Sequence, residues 1–194
     1  MYGGAKLAGE AYARAAFRTH GFPVTVARPF NAYGTRSHFE GDSGEVLPRT
    51  IVRVLAGLPP IIYGDGEQSR DFTHVTDTAR GIIALAESDD AVGATVNIGS
   101  GTEVSINTLA RIVGEAVGRP DLAPLHLDAR PGDVRRLLAE SSQMQRLTGY
   151  VPRVSFEEGV RELVESLRDS GVSFEDMLAK VEDRNWGQGV ASSV

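Results

Sequence analysis

No cysteine occurs among the 194 residues, so disulfides and thiolate metal sites are excluded. Histidine is scarce. His20, His38, His74 and His126 are scattered without ligand-like spacing, and no metal is expected. Positive charge is outnumbered, with 20 Lys and Arg against 26 Asp and Glu for a net charge of −6. Without a net positive field, nucleic acid is not an expected partner, although local arginines can still hold a small anion. No apolar run approaches the ~20 residues that cross a bilayer, and the N-terminus carries no basic-then-apolar signal. A soluble, cytoplasmic protein without a membrane partner is the expectation.

What is present is an ordinary globular composition, 41% hydrophobic and 24% charged, long enough for one domain or one and a fraction. The chain opens on Tyr2 and Lys6, four residues apart at the start of a helical pattern over residues 2–20. On a helix both side chains lie on one face, one turn apart. An ammonium beside a phenol favours the phenolate, whose free pKa of ~10 is otherwise too high for a base at neutral pH. Taken alone, the spacing is more often that of an ordinary surface pair. His20-Gly21-Phe22-Pro23 reads as the helix end, and Val24 to Arg28 as a short strand buried in a parallel sheet. Helices are expected near 48–56, 77–87, 106–117, 139–150 and 155–168, with Ser105 and Ser155 as N-caps and Glu158 completing a capping box. Gly99-Ser100-Gly101 lacks the third glycine and the Gly-Lys-Ser/Thr continuation of a phosphate loop, and reads as a strand-to-helix turn.

Three blocks arrive in order: Tyr2-Gly3-Gly4-Ala5-Lys6 followed by Arg28-Pro29-Phe30-Asn31-Ala32-Tyr33-Gly34, then Arg70-Asp71-Phe72-Thr73-His74-Val75-Thr76-Asp77, then Arg130-Pro131-Gly132-Asp133-Val134. Together they resemble the extended short-chain dehydrogenase/reductases, and more closely their NAD-dependent epimerase/dehydratase branch, from residue 2 to about 168. The resemblance implies an α/β fold: a remnant of a Rossmann-like parallel sheet (residues 1–34, the catalytic helix and one strand) and a smaller α/β substrate-binding domain (35–168). Residues 77–99 are expected to pack back on the sheet, and 169–194 to form a C-terminal helix and tail.

The resemblance also implies roles. Tyr2 is the catalytic base and Lys6 holds the nicotinamide ribose of NAD, with Pro29 against the nicotinamide. Asn31, Val46, Ile61, Tyr63, Arg70, Arg130 and Asp133 bind a nucleotide-diphosphate sugar. Arg70 touches the diphosphate or the ribose, Arg130 faces the diphosphate and Asp133 the ribose, and Tyr63 stacks on the base with Ile61 beside it. From the residues alone, Asn31 is as readily a turn former, Arg70 a local ion pair with Asp71, and Pro131-Gly132 a type II turn. The reaction implied is that of a nucleotide-sugar epimerase or dehydratase, UDP-glucose 4-epimerase-like, through transient oxidation at the sugar C4. The glycine fingerprint for NAD expected before Tyr2 is not found, so the chain is expected to be a truncated piece inactive alone, or a nucleotide-sugar-binding module needing another chain. A homodimer is a further expectation from the resemblance.

Overall fold

The computed structural model describes residues 2–41, 43–182, 184 and 186; the side chain of Tyr2 lies outside the described part. In chain order the elements begin with α1 (Tyr2–His20), β1 (Val26–Pro29), β2 (Ala32–Tyr33), α2 (Val46–Leu55), β3 (Ile61–Tyr63), β4 (Ser69–Asp71), β5 (Thr73–His74) and α3 (Val75–Ala86). There follow β6 (Thr95–Ile98), β7 (Glu103–Ser105), α4 (Ile106–Val117), β8 (Leu125–Leu127), β9 (Arg136–Leu137), α5 (Ser142–Thr148), α6 (Phe156–Arg168) and α7 (Phe174–Leu178). The class is α/β with parallel strand pairs, as expected. Among the described residues no helix is long and apolar enough to cross a membrane. The chain divides into two compact units, one of residues 1–32, 71–102 and 138–154, the other of 33–70, 103–137 and 155–194.

In the first unit α1 ends where its sequence says it must. Gly21 adopts φ +66°, its N–H donates to Phe17 O, and the Phe22 N–H reaches Ala16 O, so the last carbonyls find donors in a left-handed cap. The apolar series along this helix, however, stays exposed: Leu7 is 65% and Tyr12 80% accessible. Glu10, Ala13, Ala16 and Phe17 are the more covered positions, with Phe17 lying where a side chain on Gly93 would collide with its ring. Glu10 holds Arg28 of β1 through a two-pronged pair, Nε to Oε1 at 2.6 Å and Nη2 to Oε2 at 2.5 Å. This contact and the charge beside it lower the Glu10 carboxyl below the usual range.

Strand β1 pairs parallel with β6, Val26 opposite Thr95 through Pro29 opposite Ile98. Full burial was expected for β1, but Arg28 and Pro29 are exposed, because in this two-stranded sheet β6 is the one strand bonded to it among the described residues. The unit's core lies on the β6 side, where Leu85, Ala91, Val96, Ile98, Met144 and Tyr150 cluster. Gly81 of α3 lets that helix approach the sheet, since a Cβ there would stand 3.0 Å from Ile98 Cγ2. Helix α5 is shorter than the pattern over 139–150 predicts and stops at Gly149, φ +67°.

Two carboxylates buried in this unit, Asp71 and Asp77, are each fully enclosed and each fully engaged. Asp77 accepts from Arg80 Nη1 at 2.6 Å and from the main-chain N–H groups of Arg153 and Val154 at 2.8 and 2.9 Å. Its carbonyl takes the Tyr150 hydroxyl at 3.0 Å. Burial first, and the nearby Asp77 carboxylate second, push the Tyr150 phenol from 10 up to about 12. A raised folded-state pKa means stabilisation that is complete below pH ~10 and is lost as pH climbs toward 12. The unfolding free energy is therefore expected to fall across that window, and to fall less in Tyr150→Phe. Equal slopes in urea titrations of the two proteins would show that Tyr150 is not the group responsible.

The second unit packs α2 against α4, α6 and α7, and α4 against α6. Leu47, Ile51, Leu109, Val113, Leu163 and Met177 are essentially inaccessible. Periodicity explains α4 and α6, whose inward residues recur every three to four positions. Their caps are those read from sequence: Ser105 Oγ accepts from Thr108 N at 3.1 Å. Ser155 Oγ accepts from Glu158 N at 3.3 Å while the Glu158 carboxylate takes Ser155 N at 3.0 Å. Pro48 is third in α2, where its missing N–H has no intrahelical acceptor to lose. Gly159 is required by proximity, since a Cβ would stand 2.2 Å from the Tyr33 hydroxyl. Two small sheets complete the unit: β3 with β8, parallel, Ile61 opposite Leu125, and β7-β4-β9, in which Ser69 and Arg70 run parallel to Arg136 and Leu137.

Candidate functional site

The predicted residues fall into the two units. Lys6, Pro29 and Asn31 belong to the first; Val46, Ile61, Tyr63, Arg70, Arg130 and Asp133 to the second.

In the second unit the short strands deliver side chains to one turn. Strand β3 carries Ile61 and Tyr63, and β4 carries Arg70. Between β8 and β9 the chain reverses at Arg130-Pro131-Gly132-Asp133, with Gly132 at φ +71° and Asp133 N–H donating to Arg130 O at 3.3 Å. A positive φ at the third position is the geometry a type II turn demands of glycine. From this turn Asp133 Oδ1 accepts from Arg70 Nη2 at 2.6 Å, across 63 residues of sequence. Arg70 Nη1 also donates to Val134 O at 2.6 Å and Ser69 O at 2.7 Å. Three of its five donors thus lock the guanidinium, whose side chain is 14% accessible. The ion pair read as possible between Arg70 and its sequence neighbour Asp71 is therefore not the one made. Beyond the turn, Arg135 pairs with Asp65 and Arg136 with Glu103, both exposed contacts that tie the 130–137 segment to the turn after β3 and to β7. Each arginine lowers its carboxylate partner's pKa; for Asp65 the Glu67 main-chain N–H contributes first.

At the other end of the same turn, Arg130 places its Cζ 5.2 Å over the ring of Trp186, and the Trp186 ring stands 4.5 Å from that of Tyr63 at 80°. Trp186 is the chain's single tryptophan, and no sequence motif assigns it a role. Its one signal in the sequence is an isolated large aromatic in a polar tail. Val46 is the first residue of α2 and is exposed; Ile61 is half-buried on β3.

In the first unit, Asn31 is the non-glycine residue with positive φ among those described, +26°. Its amide donates to Asp71 O at 3.0 Å, and its carbonyl accepts from Thr73 N at 3.3 Å, so it both turns the chain after β1 and ties that turn to β5. Lys6 is exposed on α1 and Pro29 exposed at the end of β1. The Gly99-Ser100-Gly101 turn leads not directly into a helix but into β7. Its main-chain N–H groups hold an anion already, the Asp71 carboxylate. Ser100 N donates at 2.8 Å, Ser100 Oγ at 2.6 Å, Gly101 N at 3.0 Å and Ala139 N at 3.2 Å. Gly99 has no room for a side chain, since a Cβ would lie 2.2 Å from Ala139 Cβ. The pyrophosphate of a dinucleotide takes glycine-rich amides at a helix N-terminus, and this turn, the nearest thing to such a cradle among the described residues, is filled from within. The described residues do not fit that pyrophosphate. A cavity of 260 Å³ in this unit, lined in part by Ser100, Ser141, Gln145 and Tyr150, contains none of the predicted residues. Among the described residues no group of three His, Asp or Glu side chains is placed to hold a metal ion.

Residues 1–99 match the family model described as the NAD dependent epimerase/dehydratase family. A dTDP-glucose 4,6-dehydratase of an Actinoplanes species is 36% identical over 163 residues, 84% of this chain and 49% of the relative. Among solved structures, the UDP-glucose 4-epimerase of Thermotoga maritima with UDP-glucose superposes with a TM-score of 0.82 at 33% identity, over 87% of this chain and 53% of that one. The UDP-glucuronic acid 4-epimerase of Bacillus cereus, solved with UDP-glucuronic acid and NAD, gives 0.80 at 28% identity, over 87% of this chain and 52% of that one. The chain thus spans about half the length of the curated relatives it matches. On the match of its first 99 residues, over half its length, the chain belongs to the NAD-dependent epimerase/dehydratase family.

Proposed function

We propose that this chain forms the nucleotide-sugar side of an NAD-dependent epimerase or dehydratase, UDP-glucose 4-epimerase-like and acting through transient oxidation at the sugar C4. The redox step belongs to a dinucleotide-binding portion beyond the residues present here, and the chain alone is inactive. One observation carries the reading. Four of the residues expected to meet a nucleotide-diphosphate sugar converge on a single β-turn, with Asp133 against Arg70 and Arg130 sharing an indole with Tyr63. A guanidinium fixed by three acceptors, with donors left over, suits a diphosphate better than a mobile one, because little rotamer freedom remains to be lost on binding. The Asp133 carboxylate accepts from ribose hydroxyls, Tyr63 supplies an aromatic surface for the base, and Ile61 and Val46 supply apolar contact. Asn31 meets the sugar. Tyr2 acts as base, with Lys6 on the nicotinamide ribose and Pro29 against the nicotinamide. The first unit is the sheet-side remnant and the second the substrate side.

A second reading, a nucleotide-sugar-binding module without redox chemistry, is favoured for the chain by itself because the Gly-Ser-Gly amides are spent on Asp71. Calorimetric titration with UDP-glucose and, separately, NAD tests both. Saturable binding of UDP-glucose with no measurable NAD binding is expected. Tight NAD binding with turnover would overturn the binding-module reading, and binding of neither ligand would overturn both.

A further inference from the structure

We propose that Trp186 is a built-in occupant of the nucleotide-base position: the C-terminal segment lays its indole between Tyr63 and Arg130, and a nucleoside diphosphate must displace it to bind. The inference rests on the reading of Tyr63 and Arg130 as nucleotide contacts given above.

The chemistry is that of mimicry. A flat, electron-rich aromatic of two fused rings sits with its face under a guanidinium, 5.2 Å from Arg130 Cζ, and with the Tyr63 ring edge-on at 4.5 Å. A purine or pyrimidine would meet the same pair through aromatic and cation–π contact, the indole's own contact with Tyr63 being edge-to-face. The indole brings no phosphate, so Arg70 and Asp133 retain their mutual contact while it is seated.

The chain ahead of Trp186 is anchored as far as Val181. Ser173 caps α7 by accepting from Asp176 N at 3.1 Å, and Met177 is buried in the second unit. Gly41 N–H then donates to Lys180 O at 2.9 Å, with Gly41 and Val181 forming a parallel bridge. Four residues separate Val181 of that bridge from Trp186, so the effective concentration of Trp186 at Tyr63 is high and intramolecular. Trp186 is only half-buried, as expected of a side chain that can leave.

An occupant of this kind reduces apparent ligand affinity by the fraction of molecules in which the slot is open. If the indole is seated about nine-tenths of the time, Trp186→Ala binds UDP about tenfold more tightly than the native chain. Because Trp186 is the only tryptophan, its emission reports the same event in the unaltered protein: UDP should shift it to the red and raise its quenching by acrylamide. Tighter binding in Trp186→Ala together with that red shift is the expected result. Unchanged or weaker UDP binding in Trp186→Ala, or a blue shift in the native chain, would overturn the proposal and make the indole a bystander or a wall of the slot. UDP binding to neither protein would overturn the proposal together with the nucleotide reading. UDP binding to both with equal affinity would overturn the proposal alone.

Discussion

Replacing Asp71 by alanine is expected to cost about 3 kcal/mol or more of folding stability, the largest effect of any polar substitution in the first unit. The carboxylate is fully buried and accepts from the main-chain N–H groups of Ser100, Gly101 and Ala139, as well as from Ser100 Oγ. Removing it strands the buried Ala139 N–H, at about 1–3 kcal/mol, and takes the acceptor from the part-buried Ser100 and Gly101 N–H groups as well. The geometry around it is unforgiving, because Gly99 and Ala139 are already in close apposition beside the carboxylate. Asp71→Asn should recover only part of the loss, since the amide nitrogen cannot accept from the N–H groups it would face. Urea unfolding monitored by far-ultraviolet circular dichroism gives the number. A loss below about 1 kcal/mol would mean that water takes the place of the carboxylate.

Arg70→Ala is expected to weaken UDP-glucose binding by roughly 10- to 100-fold, from the ~1.5–3 kcal/mol that a charge-assisted hydrogen bond contributes. The guanidinium is prepositioned by Asp133, Val134 and Ser69, so its substitution removes the proposed ligand contact together with the tether of the 130–133 turn. Arg70→Lys separates these effects. It keeps the charge but loses the planar fork, and should fall between the native protein and the alanine variant. Calorimetry on the three proteins, with thermal melting to verify that each is folded, decides the matter. Equal affinities across the series would remove Arg70 from the nucleotide contacts and leave it a purely structural tether.

Much of the local structure was legible because it is set by neighbours in sequence. The Ser155 and Glu158 capping box, the Ser105 cap and the glycine stop at Gly21 all depend on residues within four positions of each other, and periodicity fixed α4 and α6. What the sequence hid is long-range partner choice. Arg70 stands next to Asp71, yet pairs with Asp133 63 residues away, while Asp71 reaches the turn at Ser100 and Gly101. Adjacent side chains on a strand point to opposite faces, and that alternation is what sends the two residues apart. Composition misled for α1, whose apolar positions Leu7 and Tyr12 are exposed, since periodicity says that a stripe exists and not that anything covers it. The convergence of Tyr63, Arg70, Arg130 and Asp133 on one turn was accessible through motif resemblance alone. Trp186 was invisible even to that, because the tail carries no motif.

The one-sided pairing of β1 has a consequence for how this chain meets others. The N–H groups of Val26 and Phe30 point to Ala94 and Ile98, so strand alternation turns Ala27 and Pro29 toward the opposite edge. Proline has no N–H, and that edge therefore offers two acceptors but a single donor. A stray strand seeking a reciprocal ladder finds half of one, which blunts amyloid-like stacking. Whatever polypeptide does lie along this edge must give more hydrogen bonds than it takes, a donor-rich requirement by which a cognate segment can be told from a chance one.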